Sequence, residues 1–223
     1  MLKCCMMLNK KFIITLLSIA FAITTLHADT NCTINAQEGT ISFYHENYLE
    51  AQKYLSKASE AGDPSAHYYL GLMYLNGQGV PANYQEAARL FTLAAQKNHT
   101  GGQIALGVLL IEGIGIPQNF KRAAHLLTLA AKQNNQDAQA ILGWIYKYGV
   151  GVRENKIIAY ALWNYVAAKG DEWARINRNY MLLEMTEEEL YKAQDLSLNL
   201  TVLWNALERK STITQKRTKK KKH

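Results

Sequence analysis

Cysteine is scarce in this chain: its 223 residues hold three, and Cys4 and Cys5 precede Met7, a second candidate start. From Asp29 onward only Cys32 remains, which excludes an internal disulfide in a processed chain. Histidine offers no more. His45, His67, His99, His125 and His223 stand in no His-x-x-x-His or other metal-ligand spacing, so neither metal nor cofactor is expected. Nothing in the chain reads as a strand. A basic binding face is also lacking, despite a formal net charge of +7. Three of the 25 basic residues (Lys3, Lys10, Lys11) lie near the N-terminus and eight crowd into 209–223. The other 14 face all 18 acidic residues, which leaves the body near −4.

The two ends are read separately. Lys10 and Lys11 precede an apolar run from Phe12 to Leu26, then Leu26-His27-Ala28 and Asp29, the order of a cleaved secretory leader. Thr15, Ser18, Thr24 and Thr25 interrupt the run, which falls short of the ~18–20 residues a spanning helix needs. No membrane span is expected after processing, and the location is periplasmic or secreted. The basic end, Lys216 to Lys222, reads as a solvated tail that could touch an anionic surface. No aromatics interleave with its lysines, which argues against specific nucleic-acid recognition.

Between the ends, one segment returns at a fixed step. Leu70-Gly71, Leu106-Gly107 and Leu142-Gly143 stand 36 residues apart, each followed by a Gly-x-Gly: Gly77 and Gly79, Gly113 and Gly115, Gly149 and Gly151. The same step carries Asn83 onto Asn119 and Asn155, and Ala87 onto Ala123 and Ala159. Stepping back reaches Asn47, Ala51 and Gly62, so a degenerate unit precedes the first complete one. Such a period marks stacked supersecondary units. A glycine loop cradling phosphate would follow a strand and occur once per site, so these six glycines are structural turns.

Each unit reads as two helices. Asp63 can cap the first, with Pro64 at its first position, and Ala66, Leu70, Gly71 and Tyr74 share a face. After the glycine turn, Asn83 with Glu86 suggests a capping box. Ala87, Leu90, Phe91 and Ala94 then point inward, Gln85, Arg89, Gln96 and Lys97 outward.

The pattern A-x-x-x-L-G-x-x-Y-x-x-G-x-G-V, then N-Y-x-x-A and a closing A-A, resembles the Sel-one-like repeat of the tetratricopeptide-like α/α superhelices. Ala66, Leu70, Gly71, Tyr74, Gly77, Gly79, Val80, Asn83, Tyr84, Ala87, Ala94 and Ala95 carry it in the first full repeat. Ala138, Leu142, Gly143, Tyr146, Gly149, Gly151 and Val152 carry it in the third. The second departs at Gly102 and Leu110. Asn stands at 83, 119 and 155 where the family commonly has Asp. Met185, Thr186, Glu188, Ala193 and Gln194 match a closing stretch the family often shows. The expected fold is thus an all-α, α/α superhelical solenoid of helix-turn-helix repeats with a C-terminal capping helix. Its parts are a leader at 1–28, a flexible linker at 29–37 and a degenerate repeat at 38–64. Repeats follow at 65–101, 102–137 and 138–171, then a cap at 172–208 and the tail at 209–223. Within the cap, Thr186 with Glu189 forms a capping box, and the helix behind it lines up Leu190, Ala193, Leu200, Leu203, Trp204 and Leu207.

The resemblance implies protein binding in envelope maintenance, signalling or host contact, and hence a virulence association. A disulfide-rich branch of the family has been linked to β-lactam binding and hydrolysis, but it carries a Cys pair in each repeat, and this chain has none. No Ser-x-x-Lys follows the leader either. The reading is a non-catalytic scaffold, not an enzyme; a cell-wall-active hydrolase or penicillin-binding protein is the alternative. Binding falls to the first-helix face opposite the core, normally polar but here apolar and aromatic. Tyr68, Tyr69 and Leu72 lie on it in one repeat, Ile104, Val108 and Glu112 in the next, Trp144, Lys147 and Tyr148 in the third. Together they are expected to form a groove for a peptide or partner helix.

Overall fold

A computed structural model describes residues 33–205 and 207. The leader, Cys32 and the tail at 209–223 lie outside the described residues. Within them there is no strand. The helices are α1 (33–44), α2 (Tyr48–Glu60), α3 (Pro64–Asn76), α4 (Tyr84–Gln96), α5 (Thr100–Glu112) and α6 (Phe120–Lys132). They continue as α7 (Gln136–Tyr148), α8 (Lys156–Ala167), α9 (Glu172–Met181), α10 (Glu187–Leu198) and a short α11 from residue 200. The chain divides into two compact units at Lys97/Asn98.

In three of the repeats one asparagine joins the paired helices. The Asn83, Asn119 and Asn155 side chains each accept the N–H three residues on, at 3.0 Å. The backbone N–H of the same residues donates at 2.8 Å to Tyr74, Leu110 and Tyr146, near the end of the preceding helix. Each asparagine therefore caps one helix and ties it to the other. For that reason the box expected at Asn83 does not close. Its N–H is already committed, and Glu86 instead pairs with Arg89 at 2.7 Å.

The two glycines of a turn have different tasks. Gly149 ends α7 in the left-handed conformation, φ +67°. Gly151, φ +71°, lies so close to the start of α6 that a Cβ would sit 2.3 Å from the Phe120 carbonyl. The first glycine ends a helix; the second admits a neighbouring backbone. Gly79 is crowded in the same way, with Tyr48 at the start of α2 only 2.6 Å from where its Cβ would be. The Gly115 backbone is left-handed as well, φ +68°. A helical glycine makes a comparable fit inside the pair: a Cβ on Gly143 would lie 2.6 Å from the Trp163 indole nitrogen. That indole is buried and donates to the Ala140 carbonyl at 3.0 Å.

The N-terminal repeat differs from the sequence expectation. Residues 33–37, placed above in a linker, belong to α1, whose Ala36 and Ser42 are buried. Gly39 meets Leu55 of α2 as Gly71 meets Phe91 of α4. Sixteen residues separate the first pair and twenty the second, so this repeat is complete but has a turn four residues shorter. Glu46, φ +59°, makes that turn without glycine.

Thr186 and Glu189 do form their capping box. The helix behind it is not continuous. Asn199, with φ −141°, ends α10 and then accepts the Thr201 N–H at 3.1 Å to start α11. The break turns Leu200 and Leu203 into the core that Ala193 and Ser197 already occupy.

Candidate protein-interaction face

In the first unit, α3 places Tyr68, Tyr69 and Leu72 along one half-buried strip. Tyr69 is the centre of an aromatic cluster, with ring centres 5.2 Å from Phe43, 5.8 Å from Tyr44 and 5.1 Å from Tyr68. The Tyr44 and Tyr69 hydroxyls share a 3.0 Å hydrogen bond. Burial first, and that bond second, push the Tyr69 hydroxyl above its ordinary pKa. Tyr44, two-thirds exposed, carries the cluster out to solvent. Phe43 and Tyr44 belong to this cluster but were missed by the sequence reading, which assigned no helix over 33–44.

In the second unit, α5 supplies Ile104, Val108 and Glu112 and α7 supplies Trp144, Lys147 and Tyr148. Glu112 and Tyr148 are exposed, Tyr148 at 61%. Ile104, Val108 and Trp144 are half-buried, and the Ile104 and Trp144 side chains rest on the unit's core. The Trp144 and Tyr148 rings stand 5.6 Å apart. Lys147 is engaged elsewhere. Its ammonium pairs with Glu184 in the turn after α9, and that contact holds the Glu184 carboxyl below the usual carboxylate range. It bounds the face and does not line it.

The 36-residue step also reaches α9. Ile176 and Tyr180 stand in register with Ala140 and Trp144 and are 42% and 67% exposed. The signal was available in Ala174, in phase with Ala138, but the loss of Leu-Gly at 178–179 hid it.

In each unit a buried polar side chain lies on the opposite side of the first helix. His67, Gln103 and Gln139 share one register and are 6%, 0% and 1% exposed. The Gln139 amide donates to the Ala131 carbonyl at 3.0 Å, and Gln103 accepts from Gln133 at 2.9 Å. Burial depresses the His67 pKa, opposed by its hydrogen bond to the Ser59 backbone. Among the described residues no three His, Cys, Asp or Glu side chains converge to hold a metal, and no helix is long and apolar enough to cross a membrane.

Helix pairs, a shared register and an apolar first-helix face define a helical-repeat protein. Sel1 repeats match at 42–63, 64–99, 101–135 and 136–171, more than half of the chain. The chain belongs to the Sel1 repeat family. A Sel1 repeat protein from Oxalobacter formigenes is similar to it over 72% of this chain and 73% of that one, at 26% identity and a TM-score of 0.62. The c5321 protein, a protective antigen of uropathogenic Escherichia coli strains, covers 74% of this chain at 25% identity and a TM-score of 0.53. That alignment takes in 44% of c5321. No curated protein matches the sequence.

Proposed function

We propose that this protein is an exported, non-catalytic scaffold whose first-helix face binds a peptide or a helix of another protein. Exposed aromatic and aliphatic groups on that face support the reading above all: Tyr148 at 61% and Tyr44 at 70%, each beside half-buried rings. Aromatic anchors standing on a packed floor are the usual source of interface energy. The leader-like order of residues 1–28 supports a periplasmic or secreted location. A photo-crosslinking residue at position 148 should capture one partner in the producing cell, while the same residue at exposed His125 on α6 captures none. Equal capture from both positions, or none from 148, overturns the reading.

A further inference from the structure

Helix α9 carries an exposed apolar stripe. Trp173, Ile176 and Tyr180 project along one side of the helix at 47%, 42% and 67% exposure. They fall within about 60° of one another by the helical step of about 100° per residue. A terminal solenoid helix ordinarily turns a polar face outward. This one presents two aromatic rings and an isoleucine.

The helix lies in an acidic stretch of the chain. Residues 171–195 carry seven carboxylates and three basic side chains. The whole surplus of negative charge in the folded body therefore lies in that one segment. Arg175 and Lys192 are already paired with Glu172 and Glu188, and Lys147 with Glu184. No ion pair involves Glu187 or Asp195 among the described residues.

Aromatic faces edged by carboxylates attract cations: the ring quadrupole and the carboxylate charge act in the same direction, and long lysine and arginine stems cover apolar surface. The chain supplies such a ligand itself. Residues 209–223 hold eight lysines and arginines around Ile213, and they begin two residues beyond Leu207. Helices α9 and α10 both pack on α8, which spans about 18 Å at 1.5 Å per residue. Fifteen residues extended reach about 50 Å, so the stripe is within reach.

We propose that the basic segment 209–223 docks on its own α9 stripe, its cations over the Trp173 and Tyr180 rings and against Glu187 and Asp195. Docked there, the segment covers Ile176 and Tyr180, the last positions in register with the partner-binding column. The docking stands whether or not that column takes a partner.

Carbodiimide coupling of the full-length exported chain, followed by peptide mass spectrometry, tests this, because it joins only amines and carboxylates already in contact. The expected products link Lys219–Lys222 to Glu187 or Asp195, at least fivefold above links to exposed Glu50 and Glu112. They should fall at least threefold in 0.5 M salt and in a Trp173→Ala/Tyr180→Ala variant, with the fold checked by circular dichroism. Mixing heavy-isotope and ordinary chains separates intramolecular from intermolecular links. Links spread in proportion to carboxylate exposure mean a free tail, open to any anionic surface, and overturn the proposal. Mixed-isotope links mean that a second copy supplies the tail, which overturns it too. So does a yield indifferent to the loss of both rings.

Discussion

His67 is the residue whose protonation the fold resists most plainly. It is 6% exposed at the junction of α2, α3 and α4, and burial holds its pKa below the ordinary 6.5. The charged groups acting on it are Arg89 and Lys97, which lower the pKa further, and Asp63, which raises it. The unfolded chain therefore binds the proton more readily. The associated stability is complete above pH 6.5 and is lost as the pH falls through the depressed native value. Gln occupies the same register at 103 and 139, so His67→Gln should fit. Melts between pH 8 and pH 5 should show the wild type losing more on acidification than His67→Gln. Parallel curves would contradict this. The burial of these side chains escaped the sequence reading because a buried histidine or glutamine is indistinguishable from an exposed one until its neighbours are known.

At the scale of the element, the two glycines of a turn should not be equivalent. Gly113 has the left-handed φ, +76°, and an added Cβ would meet Gln118 at 3.6 Å, an ordinary contact distance. Gly113→Ala should cost about 1–2 kcal/mol from the backbone alone. Gly151→Ala meets the same penalty and also drives its Cβ into the Phe120 carbonyl, adding about 1–3 kcal/mol of overpacking. Denaturant unfolding of both variants checks the order, and equal losses would contradict it. The asparagine caps give a second test. Asn155→Ala should cost about 1 kcal/mol, while Asn155→Asp should cost less, because a carboxylate also caps and suits a helix N-terminus. An unfolding midpoint for Asn155→Asp below that of Asn155→Ala would count against the cap geometry. These elements were legible in the sequence because cap and turn residues recur in register. What the register could not show is how close a neighbouring helix comes to a turn, as Phe120 does to Gly151 and Tyr48 to Gly79. Helix α1 was not read, since a turn four residues shorter moves Gly39 out of phase. The break at Asn199 was hidden because apolar residues on both sides of it keep the helical period.

At the scale of the whole molecule, the family and the all-α repeat fold follow from the 36-residue step, and Sel1 repeats match through residue 171. The binding face was only partly legible. A periodic apolar face opposite the core can be packed, exposed or both, and sequence spacing does not decide between these. Trp144 shows the difficulty: it lies in the exposed column yet rests on the core, so its truncation should reduce both stability and binding. Tyr148 separates the two, since at 61% exposure it contributes little to packing. The affinity of the crosslinked partner for wild-type, Tyr148→Ala and His125→Ala proteins, measured alongside their thermal melts, therefore decides whether the first-helix face binds. The scaffold account predicts unchanged melting for both variants. It also predicts at least tenfold weaker binding, about 1.4 kcal/mol, for Tyr148→Ala alone. Full affinity in Tyr148→Ala together with weakened binding in His125→Ala would place the partner on the other face and contradict it.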